Sequence, residues 1–76
     1  GSLGEAVRTV QTQLNKISNN YPLIAKLRID GSYGESTANS VKTFQKIFYL
    51  PETGDVDFST WYQISNIYVA ISKMAS

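Results

Sequence analysis

Apolar residues recur along this chain at helical spacing in three separate stretches. Thr37, Val41, Phe44 and Phe48 are separated by four, three and four positions, which lines them on one face of a helix from about 35 to 48. Leu3, Val7, Val10, Leu14 and Ile17 form a similar stripe and predict a helix over about 3–18, with Arg8, Gln11, Thr12 and Lys16 mostly on other faces. Ser2 or Gly4 is the expected N-cap there, and Glu5 sits where the helix dipole favours an anion. Trp61, Ile64, Tyr68 and Ile71 mark a third helix over about 58–73, with Asp57 as N-cap and Lys73 near the end, where a cation suits the dipole.

The breaks between these stripes carry turn chemistry. Ser18-Asn19-Asn20 offers short polar side chains that compete for backbone hydrogen bonds, and Pro22 holds Tyr21 extended. Residues 21–30 then read as a connector pinned to the core by Leu27 and Ile29, with Lys26 and Arg28 alternating outward. The turn from Asp30 to Gly34 leads straight into the second helix, with Gly34 as its N-cap. Pro51 and Gly54 mark the next turn. Gly31–Thr37 aligns with Gly54–Thr60, so that Tyr33 matches Val56, Gly34 matches Asp57 and Val41 matches Ile64. Each turn therefore has a glycine, an apolar plug two residues on, an N-cap and then a helix; the plug tucks under the helix start as a hydrophobic staple does.

Composition narrows the chemistry. The chain has 76 residues, enough for one small domain of modest stability, and 42% of them are apolar. It contains neither Cys nor His. Disulfides, thiolate metal sites and Ser-His or Cys-His pairs are thereby excluded, and the commonest general base is missing. A net charge of +1 gives no electrostatic case for nucleic acid. No apolar run approaches a membrane span, and no signal peptide is visible. Gly1-Ser2 reads as native sequence or a cloning scar, and a chain that starts almost inside its first helix reads as a domain cut from a longer protein.

The acids are Glu5, Asp30, Glu35, Glu52, Asp55 and Asp57. Capping or turn closure accounts for Asp30 and Asp57, and no pair signals acid–base catalysis. Asp55-Val56-Asp57 lacks the regular oxygen spacing of a calcium loop, and Gly31 to Gly34 matches no phosphate or dinucleotide motif. No catalytic residue, metal or cofactor is expected.

At this point six pieces align in order with one known family. They are Gly4-Glu-Ala-Val7, Val10-Gln-x-x-Leu-Asn15, Asp30-Gly-x-Tyr-Gly-x-x-Thr37, Val41-x-x-Phe-Gln45, Leu50-Pro-x-Thr-Gly54 and Val56-Asp-x-x-Thr-Trp61. The pattern resembles bacterial peptidoglycan-binding domains of the three-helix type, over residues 3 to about 64. The resemblance implies an all-α, orthogonal three-helix bundle spanning 1–76 as a single domain. It also implies a non-catalytic module that binds peptidoglycan or its stem peptides, targeting or anchoring an attached protein such as a cell-wall hydrolase. Its expected location is the cell wall, the spore envelope or the extracellular space. This chain departs from the family at Tyr49, where a glycine usually takes the left-handed helix-exit position, and in the extra helical turns beyond residue 64.

The expected ligand site centres on the turn into the second helix. The N–H groups and positive dipole end there suit a carboxylate, with Arg28 or Lys26 adding a charge-assisted contact. Arg28, Asp30, Ser32, Tyr33 and Gly34 are the candidates, although Tyr33 reads first as the staple residue. Tyr49 and Tyr62 fall off their helices' main stripes and are the exposed aromatics expected to stack on sugars, whereas Trp61 lies on the stripe and is expected in the core. Gln11 and Gln45 read as links from helix side chain to loop backbone, with direct ligand contact as the alternative. The third helix has no charge from Phe58 to Ser72 and is apolar almost all round at Ile67–Ile71. Its C-terminal half is therefore expected to pack on more than one neighbour, with the Leu23-Ile24 connector, an adjacent domain or a second copy of the chain as candidates. The alternative function is accordingly a structural, spacer or dimer-forming domain with little affinity for carbohydrate.

Overall fold

Val7, Val10, Leu14 and Ile17 are buried along one face of the first helix, as their spacing requires. In the computed structural model, which describes residues 2–75 with side chains from Gly4 to Met74, that helix is α1 (Ser2–Ser18). It is followed by α2 (Glu35–Ile47) and α3 (Phe58–Ala75), in an all-α three-helix bundle. The helix bounds match the sequence expectation closely. Gly4 lies inside α1 and is not its cap, while the expected roles of Ser2 as cap and Leu3 in the stripe fall outside the described side chains, and Gly1 outside the described residues.

The core joins all three helices and the connector. Leu14, Ile17, Val41, Phe44 and Ile64 are fully shielded, and Val10, Ile24, Leu27 and Ile71 complete the cluster. Burying a Leu, Ile or Phe side chain contributes roughly 1.5–3 kcal/mol. Phe44 and Phe48 pack with ring centroids 4.6 Å apart, and Tyr21 meets Phe48 edge-on at 5.1 Å. α3 packs mainly on α1.

The connector is held differently from the expected alternation. Ile24 and Leu27 are buried, whereas Ile29 is 48% exposed. Asn15 fixes the register: its Nδ2 donates to the Leu27 carbonyl at 2.8 Å and its Oδ1 accepts the Leu27 N–H at 2.6 Å. A side-chain amide thus takes the place of a neighbouring strand for a segment that forms none. Ser40 Oγ donates to the Ala25 carbonyl from the other side. Leu27 is clamped inward, and Ile29 lies beyond the clamp.

The C-terminal half of α3 divides. Ile71 is buried and Ile67 and Tyr68 are half-buried against the core, which includes Ile24 of the connector. Val69 and Met74 are exposed, as is Leu23. No helix among the described residues is long and apolar enough to cross a membrane.

Candidate functional site

Two buried glutamines build the two turns. Gln11 Oε1 accepts the N–H groups of Asp30 and Gly31 at 3.1 and 3.0 Å. Its Nε2 lies 3.1 Å from Asp30 Oδ1, 3.1 Å from the Ser32 carbonyl and 3.2 Å from Thr37 Oγ1. Gln45 repeats the device: Oε1 accepts the Gly54 N–H, while Nε2 faces the Asp55 carbonyl and the Thr53 and Thr60 hydroxyls. Both glutamines are links from helix to loop, as their positions implied. The repeated Gly…Thr turns are therefore the same construction, each turn folded over an amide from the preceding helix.

Asp30 belongs to this construction. Its Oδ1 accepts the Ser32 N–H at 2.9 Å and the Gln11 amide. These bonds, with help from Arg28, hold its carboxyl below the usual value, the Ser32 bond most strongly. Asp57 caps α3 by accepting the Thr60 N–H at 2.9 Å, and is likewise lowered.

A polar pocket of about 430 Å³ opens over the first turn. Arg28, Asp30, Ser32 and Gly34 all line it, together with Glu35, Ser36 and Thr37 from the first turn of α2. Gly34 caps α2 in an extended conformation with no side-chain cap bond. The first intrahelical bond runs from the Ala38 N–H to the Gly34 carbonyl. The N–H groups ahead of Ala38 thus have no acceptor within the helix and lie at the positive end of its dipole. Glu35, Ser36 and Thr37 escaped the sequence reading as lining groups, although the N-terminal turn of any helix flanking a site supplies such residues.

Lys26 also borders this pocket, but its Nζ donates to the Asn15 carbonyl, Ser18 Oγ and Asn19 Oδ1 at 3.1, 2.6 and 2.6 Å. These bonds tie it to the end of α1, which leaves Arg28, of the two cations expected at the turn, without such bonds. Arg28 is exposed and has no hydrogen bond or ion pair within the described residues.

Tyr33 turns away from its neighbours. Ser32 and Gly34 line the polar pocket, while Tyr33 between them lines a second groove of about 480 Å³. Its ring is 39% exposed, and its hydroxyl donates to the Gly54 carbonyl, tying the first turn to the second. It is a half-open latch rather than a simple apolar staple. Burial, reinforced by the charge of Asp55, raises the Tyr33 hydroxyl above its ordinary pKa.

The remaining aromatics separate. Trp61 was expected in the core; it is 36% exposed on the wall of the second groove, beside the more exposed Phe58. It sits only one turn into α3, at the edge of the helix packing, where a stripe position has less to pack against. Tyr62 is exposed and stacks on Phe58 with centroids 6.3 Å apart. Tyr49 is exposed at the far end of α2, beside Leu23, Thr43, Lys46 and Ile47, and contributes to neither site. Among the described residues no group of three or more His, Cys, Asp or Glu could hold a metal ion.

A family model described as "Putative peptidoglycan binding domain" matches residues 4–64. That span includes both glutamine-held turns and all residues of the polar pocket. No curated protein and no solved structure matches the chain.

Proposed function

The chain belongs to the peptidoglycan-binding domain family, and from that premise we propose that the polar pocket at the start of α2 receives a carboxylate of the cell-wall peptide. The observation that carries this reading is that the N-terminus of α2, without a side-chain cap, and the exposed Arg28 line one pocket. The N–H groups of a helix N-terminus and a guanidinium offer an oxyanion several charge-assisted bonds at once. Asp30 shapes the turn rather than touching the anion, because its Oδ1 is taken by Ser32 and Gln11. The module would hold an attached protein, such as a cell-wall hydrolase, against its polymer in the cell wall, spore envelope or extracellular space. Tyr49 and Tyr62 fit additional glycan contacts outside the pocket.

Titration with soluble muropeptides tests this directly. The amides of residues 31–37 are expected to shift, and retention on insoluble sacculi is expected to persist. Binding that moved amides only elsewhere would remove the pocket from the reading; no retention on sacculi would remove the ligand.

A further inference from the structure

The second groove differs in charge and character from the polar pocket. Tyr33, Val56, Phe58 and Trp61 give it aromatic and aliphatic walls, and Asp55 and Asp57 line it as well, Asp57 Oδ1 being held by the Thr60 N–H. Among the described residues no Lys or Arg lines it. The Asp55 carboxylate beside open aromatic faces is the complement of an alkylammonium: the rings take the methylene stem and the cation's field, and the carboxylate takes its protons. A neutral sugar would want hydrogen-bond donors as well as acceptors. The one hydroxyl here, on Tyr33, already donates to Gly54.

We infer that this groove binds the primary ammonium side chain of a diamino-acid residue in the cell-wall peptide. The inference rests on the peptidoglycan reading for the source of the ammonium only. Ser32 and Gly34 line the polar pocket, and Tyr33, between them in the chain, lines this groove. A peptide that carries both a carboxylate and an ammonium can therefore straddle this turn, with its anion toward Arg28 and its cation toward Trp61.

The test uses isotope-labelled protein and three probes: Nα-acetyl-lysine methylamide, its Nε-acetylated counterpart, and an N-acetylglucosamine oligomer. The lysine probe is expected to shift the Trp61 indole N–H and the amides of Val56 to Phe58, and the Nε-acetylated probe to leave them in place. Trp61→Leu and Asp55→Asn are each expected to weaken binding by about two- to fivefold, with the rest of the amide spectrum unchanged. Neither residue belongs to the buried core, so a preserved spectrum is expected. In parallel, retention is compared on native sacculi and on sacculi whose side-chain amines have been acetylated, where weaker retention is expected. Equal shifts with both lysine probes, or shifts with the oligomer alone, overturn the groove assignment. Retention on both kinds of sacculi alike, with Trp61 unmoved by lysine, overturns it too and leaves the peptidoglycan reading intact. Shifts from the lysine probe without retention on any sacculus uphold the ammonium site and overturn the peptidoglycan source.

Discussion

Gln45 Nε2 lies 3.0 Å from Thr60 Oγ1, both side chains being buried. Gln11 and Thr37 stand in the same relation in the preceding turn, at 3.2 Å. In each case an amide reaches from one helix across a loop to the first turn of the next. A loop in a small domain has few apolar residues to anchor it, so the amide supplies the missing partners for its backbone.

Replacing Gln45 with Leu is expected to cost about 1–3 kcal/mol, because the buried Gly54 N–H loses its partner. Gln11→Leu should cost less, since Asp30 and Ser32 are exposed and water can replace the amide. Thr60→Val should cost about 1 kcal/mol, and the double-mutant cycle with Gln45 should show positive coupling. Urea denaturation of the four proteins measures this; equal costs for the two glutamines would contradict it.

The two turn glycines provide a sharper comparison. Gly31 and Gly54 have φ of 76° and 78°. A Cβ on Gly54 would find only ordinary contacts, the nearest being the Ala38 carbonyl at 3.5 Å. On Gly31 it would lie 2.9 Å from the Gly4 carbonyl and 3.2 Å from Arg8 Nε. Gly54→Ala should therefore cost about 1–2 kcal/mol from backbone strain alone. Gly31→Ala should cost more, about 2–3 kcal/mol, because α1 must yield as well. Thermal melts of both variants decide the order.

Tyr49 occupies the left-handed exit of α2, with φ of 61°. The Leu50 N–H reaches back to the Gln45 carbonyl at 2.7 Å, closing the bond typical of a glycine-terminated helix. Its side chain is 96% exposed and contributes no burial. Tyr49→Gly is expected to stabilise the fold by about 1 kcal/mol, somewhat offset by the freer unfolded chain. A lowered melting temperature would show that the ring has an unseen contact.

Stability should be bounded at both ends of the pH scale. Asp30 and Asp57 have folded pKa values below the ordinary 3.8, Asp30 chiefly through the Ser32 N–H and Asp57 chiefly through the Thr60 N–H. Their contribution is complete above the unfolded value and is lost as pH falls through the folded one. Tyr33 is raised above 10.0, mainly by burial, so its contribution is complete below 10.0 and is lost as pH rises through the folded value. Asp57→Asn should flatten the acid limb and Tyr33→Phe the alkaline limb. Denaturation midpoints measured across pH check both.

Helix positions were legible because their signal is local. The stripes Val7–Ile17, Thr37–Phe44 and Ile64–Ile71 follow from helical periodicity, and Asp57 from capping preference. The glutamine links were legible from the repeated pattern of turns. What escaped the sequence depends on tertiary placement. Strand-like alternation put Ile29 inward, yet Asn15 clamps Leu27 and leaves Ile29 outside. Helical phase put Trp61 inward, but phase says nothing of how far a neighbouring helix extends. Lys26 and Arg28 look equivalent in sequence, and only the position of the α1 terminus separates them. The candidate site was legible in part: four of its residues converge on one pocket, while Tyr33 lines the second groove.

That difference between Lys26 and Arg28 yields the most direct test of the polar pocket. Lys26 makes three hydrogen bonds to the end of α1, so Lys26→Ala should lower the melting temperature while leaving retention on sacculi nearly unchanged under conditions where the protein is folded. Arg28 has no such bonds, so Arg28→Ala should leave the melting temperature almost unaltered. Its effect should appear in binding, as a loss of about two- to tenfold, with muropeptide-induced shifts at residues 35–37 reduced in proportion. Added salt should weaken wild-type binding more than binding by Arg28→Ala, because the variant has lost the screened charge. If Arg28→Ala bound as tightly as wild type at low salt, the carboxylate would have to be held by the α2 backbone alone, and the charge-assisted part of the proposal would fall.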